Sequence, residues 1–371
     1  MSGGRRCRNW VAGCAIAAVS LGVCLFAPAA VRASGYEHYF GDVHAHTAVS
    51  DGSGTPAGAF WSARASGLDF FVVTDHATMI SAKEWRETAA AAAAATEAGG
   101  FAALTGFELN WYYDHVNVLA VPSHLTPGAV PHARMASAAD YEDVVASIPG
   151  AIGQFNHPRW GEWSTPAWTM GGDDFEDFDY CTPARDAAME LIEVYNHDCL
   201  LDYHSSYESS YVKCLDKGWH VMPSAGGDTH SIVWDNALLP YEYRTVLLAG
   251  ELTPVALSEA MKAHRGYATV DRDLRISFSV DGAIMGSVVR AGTTHSVSVH
   301  VDDPDILAVN DELRALELVG SGGVVLASVD VCGHAASWAG QVSEQDSSWA
   351  YLRVTAADGV AAWTAPVWFE G

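Results

Sequence analysis

Tyr39-Phe40-Gly41-Asp42-Val43-His44-Ala45-His46 sets two histidines two residues apart at the end of an extended run, with Ser50-Asp51-Gly52 just beyond. Residues two apart on a strand face the same side, so His44 and His46 present two imidazoles to one point, as a metal site requires. The pattern recurs outward from this stretch. Phe70-Phe71-Val72-Val73 has the texture of a buried strand and is closed by Thr74-Asp75-His76. Gly106-Phe107-Glu108 closes a third run, and His115 opens a fourth over 116–121. Asn156-His157-Pro158 closes 151–155, Gly227-Asp228-Thr229-His230 follows 221–225, and further apolar runs cover 191–195 and 245–249.

Between the second and third runs, 81–98 reads as an alanine-rich helix stopped by Gly99-Gly100. Strands alternating with helices predict an α/β fold with a parallel sheet, closed or open. A barrel gathers functional side chains at the C-terminal ends of its strands, which would bring scattered motifs together. The expected metal ligands are His44, His46, Asp51, His76, Glu108, His115, His157, Asp228 and His230. Imidazole mixed with carboxylate suits zinc, manganese or iron better than calcium. A carboxylate bridging two such ions allows a water between them to ionise near neutral pH and attack an ester, and Glu108 and Asp228 are expected among the catalytic residues. Asp75 is expected to orient a neighbouring imidazole ring. The remaining histidines, His38, His124, His132, His197, His204, His220, His264, His295, His300 and His334, are expected to be core or surface residues.

The chain has 371 residues, 49% of them hydrophobic, enough for one barrel of about 250 residues plus a smaller domain. Beyond Asp271 the texture changes. Ile276-Phe278-Val280 and Val297-Val299-Val301 alternate with polar residues between glycine-rich turns, which predicts an antiparallel β-sandwich from about residue 272. The stretch 160–215 carries Trp160, Trp163, Trp168, the acidic 173–177 and Tyr203, Tyr207 and Tyr211. It reads as an insertion that either roofs a site or packs on itself at the surface. With 20 basic against 45 acidic residues, the net charge of -25 repels nucleic acid and anionic lipid and otherwise serves solubility, although a locally positive cleft can still bind a small anion. Arg5, Arg6 and Arg8 before an apolar 10–30 and small-residue cleavage sites predict an export signal over 1–33, cleaved to leave no stable membrane anchor. Whether export follows the general or the twin-arginine route stays open. Beyond that leader lie Cys181, Cys199, Cys214 and Cys332. In an exported chain they predict one or two disulfides, first among the first three. No G-x-S-x-G, P-loop or dinucleotide-binding motif is present.

Taken in order, His44-Ala45-His46, Asp51-Gly52, Asp75-His76, Glu108, His115, His157-Pro158 and Asp228-Thr229-His230 resemble the motifs of the PHP (polymerase and histidinol phosphatase) superfamily over about 36–270. The resemblance implies a distorted (β/α)7 TIM-like barrel and a trinuclear site. By that likeness His44, His46, Glu108 and Asp228 hold a first ion, Glu108 bridges to a second held by His115 and His157, and Asp51, His76 and His230 hold a third. Some branches have histidine where this chain has Asp51. Phe40-Gly41-Asp42 and the terminal Ala365-Pro366-Val367-Trp368 look like the exported CehA/McbA-type branch. The expected function is a hydrolase using two to three divalent ions (zinc, manganese or iron), most simply a phosphoesterase acting on a small phosphate ester. Arg159 either neutralises a phosphate oxygen or pairs with an acid of 160–215. Glu193 is either a substrate or supporting contact or a plain barrel residue. The alternatives are a carboxyl or carbamate ester hydrolase on the same site and a sugar- or surface-binding protein with a structural metal.

Overall fold

The computed structural model describes residues 35–110, 115–121, 137–158, 174–196, 207–231, 243–306, 312–343, 347–357 and 359–371. Residues 1–34, with the expected export signal, and Arg159, Trp160, Trp163, Trp168, Tyr203, Cys199, His124, His132, His197 and His204 lie outside them. No helix among the described residues is long and apolar enough to cross a membrane.

In chain order, β1 (Glu37–Asp42) leads through α1 (Pro56–Ala65) to β2 (Phe70–Val73), then through α2 (Ala82–Ala95) to β3 (Ala102–Leu109) and β4 (His115–Leu119). Next come α3 (Ala138–Ser147), β5 (Ile152–Asn156), α4 (Asp174–Asp177), α5 (Pro183–Asp186) and β6 (Met189–Asn196). They are followed by α6 (Glu208–Asp216), β7 (Met222–Gly226), β8 (Arg244–Ala249), α7 (Pro254–Lys262) and β9 (Gly266–Thr269). Local chemistry sets these bounds. Thr55 caps α1 ahead of Pro56, and Ser81 with Glu84 closes a capping box on α2. The α2 helix ends at Thr96, before Gly99-Gly100. There the Thr96 hydroxyl donates to Ala92 O and accepts from Ala103 N, tying the helix end to β3. In α4 the acidic stretch winds left-handed, with φ of 53 to 61° from Asp174 to Phe178. Lys213 and Ser210 on α6 hold Asp174, each at 2.5 Å.

The sheet is mixed, where the alternation predicted a parallel one. The pairs β1–β2–β3 and β5–β6–β7 are parallel, but β4 lies antiparallel to both β3 and β5, and β8 lies antiparallel to β1 and β9. The link over 110–114 is too short for a crossover helix, so β4 has to return antiparallel. The stretch 160–215 contains β6 and α6, which belong to the same succession of strands and helices.

The remaining strands are β10 (Arg275–Val280), β11 (Ala283–Ile284), β12 (Val288–Arg290), β13 (His295–Asp302) and β14 (Leu313–Gly320), then β15 (Val324–Asp330), β16 (Ala335–Val342), β17 (Trp349–Ala356), β18 (Gly359–Thr364) and β19 (Val367–Glu370). A separate four-stranded sheet has the order β11-β10-β13-β16. The other tail strands extend the large sheet, because β18 pairs with β9 through Ala362 with Thr269 and Thr364 with Tyr267. The period-two alternation holds: Ile276, Phe278, Val280, Val297, Val299 and Val301 are buried in one apolar cluster with Leu316, Leu318, Leu352 and Val354. Each such side chain contributes roughly 1.5–3 kcal/mol by leaving water.

Histidines away from the motifs are tied to neighbouring polar groups. His220 bridges Asp186 and Glu370, both at 2.9 Å, and His264 lies 2.7 Å from Glu190. Their rings flank Trp368 at 4.7 and 5.3 Å. The expected disulfide is not formed among the described residues, where Cys181, Cys214 and Cys332 are free thiols. Burial is the main cause that pushes the Cys181 thiol up to about 11 and Cys214 well above the usual value, keeping both protonated and unreactive.

Candidate metal centre

Backbone pairing delivers the motif residues to one place. Just past β1, Ala45 bridges Thr229 in parallel, His46 N donates to Thr229 O at 2.8 Å and Thr74 N donates to Ala45 O at 2.8 Å. A second parallel bridge joins His76 to Glu108. The extended backbone puts the His44 and His46 rings side by side, 5.3 Å apart. His157 and Asp228 take positive φ of 26 and 45°, a backbone that favours glycine and is held only where its surroundings over-determine it.

Glu108 sits at the centre, 1% exposed. Its Oε1 lies 3.3 Å from His44 Nε2, 3.0 Å from His115 Nδ1 and 3.5 Å from His157 Nε2. Its Oε2 lies 3.4 Å from His46 Nε2 and 2.8 Å from His76 Nδ1. Asp228 Oδ1 lies 3.0 Å from His46 Nε2 and 3.4 Å from His44 Nε2. Asp51 reaches His76 Nε2 and His230 Nε2, both at 3.4 Å. All nine motif residues therefore stand in one connected cluster. Three sets within it place their ligand atoms within 4.8 Å of one another: His44, His46 and Asp228; His44, Glu108 and His157; and His46, Asp51, His76 and His230.

This donor set fits divalent cations that accept both imidazole and carboxylate. One local detail agrees. Glu108 Oε2 and His76 Nδ1 are buried without a hydrogen bond although they face each other. Orphaned buried polar atoms are costly unless something else engages them.

Electrostatics sharpen the picture. Burial opposes a charge on His44, but the carboxylates of Asp228, Glu193 and Glu108 outweigh it and raise its pKa well above the usual value. Burial is likewise overcome at His157 and His76, chiefly by Glu108. At His115 burial wins and the pKa falls. Burial pushes Glu108 up, yet His115 and His44 hold it well below the carboxylate range. Asp228 is held low against burial by His44 and His46. The two carboxylates thus stay ionised.

A supporting layer stands behind these groups. Glu193 Oε1 lies 2.8 Å from His44 Nδ1, and its Oε2 accepts from His157 N at 2.7 Å and Asn196 Nδ2 at 3.0 Å. Glu193 is therefore in direct contact with the cluster and is not a plain barrel residue. Asn156 Nδ2 donates to Glu108 Oε1 at 2.8 Å. Gln154 Nε2 donates to Asn156 Oδ1 at 3.0 Å, and Gln154 Oε1 accepts from Ser224 Oγ at 3.0 Å. Asp42 Oδ1 accepts from His44 N at 2.9 Å and Gly227 N at 3.3 Å, stapling the first motif to the last. A Cβ on Gly226 would lie 2.4 Å from Glu193 Oε1 and 3.0 Å from His44 Cβ, so glycine is needed there. Asp75 orients no imidazole. It holds the backbone and hydroxyls of Thr47 and Ser50 instead. Glu193→Gln keeps the size but loses the charge that fixes the His44 ring, so metal affinity should fall about 10–100-fold, measurable by competition with a fluorescent chelator. Unchanged affinity would remove Glu193 from the site.

No protein-family model matches the chain, and no curated protein does. Among solved structures it is similar to a two-domain protein from Bacteroides vulgatus containing a predicted PHP-like metal-dependent phosphoesterase. That likeness has a TM-score of 0.50 and 18% identity over 90% of this chain and 96% of that one. A candidate metal-dependent phosphoesterase from Bifidobacterium adolescentis is similar at TM-score 0.35 and 15% identity, over 53% of this chain and 90% of that one. An amidohydrolase from Chromobacterium violaceum is similar at TM-score 0.35 and 18% identity, over 52% and 87%. At these identities the likeness is one of fold. It matches a mixed α/β chain with a large sheet, seven helices among the described residues and a separate sheet.

Proposed function

We propose that this chain is a metal-dependent hydrolase of the PHP type, CehA/McbA-like, that cleaves a small phosphate ester. The observation that carries the proposal is the placement of Glu108, one ionised carboxylate whose two oxygens face five imidazoles. Bound zinc, manganese or iron, two to three ions, would supply Lewis-acid polarisation of the ester and a water acidic enough to ionise near pH 7. His44, His46, Glu108 and Asp228 would hold one position, Glu108 with His115 and His157 a second, and Asp51, His76 and His230 a third. Glu193, Asn156 and Asp42 keep these side chains in place. The side chains of Asp51 and His230 are 47% and 36% exposed while that of Glu108 is 1%. A substrate would therefore approach from the Asp51 side, with the buried Glu108 carboxylate below it.

The same proposal takes 36–271 as a distorted (β/α)7 barrel and 272–371 as a β-sandwich. In support of closure, the Thr245 hydroxyl on β8 bonds to both N–H and C=O of Ala225 on β7. The basic start and apolar run of 1–33 support export, and the acidic composition disfavours nucleic acid. The test is a panel of phosphate, carboxyl and carbamate esters with zinc, manganese or iron supplied. Turnover of phosphate esters that a chelator abolishes is the expected result. Turnover of carbon esters alone would move the attack to carbon, and a fully loaded but inert protein would make the site structural.

A further inference from the structure

The turn that carries Asp51 is pinned from below by one carboxylate. Asp75, 2% exposed, follows the end of β2. Its Oδ1 accepts from Thr47 N at 2.7 Å, Ser50 N at 3.2 Å and Ser50 Oγ at 2.7 Å, and its Oδ2 accepts from Thr47 Oγ1 at 2.7 Å. Four donors on one buried carboxylate make a strong anchor, because bonds to an ionised acceptor exceed neutral ones. The turn is also held by Ala48 N donating to Gly54 O at 2.9 Å, by Ser50 N and Gly52 N donating to Thr47 O at 3.1 and 3.0 Å, and by Ser53 N donating to His230 O at 3.0 Å. Gly52 lies so close that a Cβ would sit 2.6 Å from His46 O. Asp51 is the half-exposed ligand candidate at the tip, and this turn carries it to 3.4 Å from both His76 and His230.

We propose that Asp75 is a positioning residue for the third cation position, holding Thr47 and Ser50 so that Asp51 meets His76 and His230. One strand end thereby does two jobs: His76 supplies a donor to that position, and the residue before it places a second donor. The Ser50 hydroxyl, oriented by Asp75, also lies 3.4 Å from His46 Nδ1, so the anchor reaches the edge of the neighbouring position.

This inference rests on the three-position site proposed above. The experiment is metal analysis of the full chain after loading with zinc and exhaustive dialysis, for wild type, Asp75→Asn, Asp51→Ala and their double variant, with thermal unfolding of each. Asp75→Asn is expected to lose one ion of the wild-type complement, Asp51→Ala the same one, and the double variant no more. Where Asp75→Asn does not fold, the Thr47→Val/Ser50→Ala variant removes two of the four donors and is expected to weaken that one ion about tenfold or more. Full metal content in Asp75→Asn, or loss of every ion at once, overturns the inference. Failure of the site itself looks different: His44→Ala and Glu108→Ala would then retain the wild-type metal. A wild type with two ions, neither lost in Asp51→Ala, would remove the third position and this inference with it.

Discussion

Glu108→Gln is expected to strip metal from the protein and to lower kcat/KM on its best ester by roughly a thousandfold or more, about 4 kcal/mol at 1.36 kcal/mol per tenfold. The side chain is buried and surrounded by His44, His46, His76, His115 and His157. Glutamine keeps its length and shape. It loses the negative charge, replaces one acceptor with an N–H pair, and turns that pair toward imidazole nitrogens that need a cation or an acceptor. The two positions that share Glu108 should both suffer, and the one built on Asp51, His76 and His230 should suffer less. Metal analysis alongside steady-state kinetics gives the readout, and His44→Ala should move both in the same direction. A Glu108→Gln protein with a full complement of ions would show that the cluster is not the metal site.

The motif residues were legible because ligation draws on few residue types and a strand has a fixed period. Histidine and carboxylate at the ends of apolar runs have little reason to be there for packing alone. The supporting layer was harder to read, although it left a signal. Gln154 and Asn156 on β5, Glu193 on β6 and Ser224 on β7 are polar residues set within buried strands. Residues alternate across a strand, so polar positions two apart, as at 154 and 156, mark one inward face. Asp75 was misread by ignoring that period: consecutive residues point to opposite faces, so it could not serve the ring of His76 and turned to the 47–51 turn instead.

Fold boundaries followed the same division. Apolar runs at 70–73, 191–195 and 245–249 became strands because β-branched and aromatic residues fit a pleated, buried surface. The antiparallel course of β4 was readable from the short 110–114 link, a length argument that the alternation of textures hid. The end of α2 was not readable from glycine position, because a threonine hydroxyl bonded to β3 stops the helix earlier. Four cysteines in an exported chain suggested a disulfide, but among the described residues Cys214 is a free thiol, fully buried in the apolar cluster around Trp219 and Tyr211.

A stability change that depends on pH is expected from Glu142→Gln. In α3 the buried positions are Ala138, Tyr141, Glu142 and Val145, so a carboxyl occupies the apolar stripe. Neither of its oxygens has a hydrogen-bond partner. The nearest cation, Arg185, is held by Asp143 at 2.7 Å and stands 3.7 Å from Glu142. Burial, helped by Asp143 and Glu176 and only partly countered by Arg185, pushes the Glu142 pKa up to about 7 from 4.5. A raised acid favours the folded state while protonated. That advantage is full below about 4.5 and lost as the pH climbs through about 7, where the native state must either ionise a buried group or hold its proton against solution. At about 1.4 kcal/mol per pH unit, the gap is worth about 3 kcal/mol between pH 4 and pH 8. Glutamine cannot ionise, so the metal-free variant should gain on wild type by that amount across the window, read as a growing difference in urea midpoints at constant m. A difference that stays flat from pH 4 to pH 8 would mean that Glu142 ionises as it does in water. Because α3 packs on β5, whose end carries His157, the same substitution should also slow unfolding around the metal site at alkaline pH without touching a ligand.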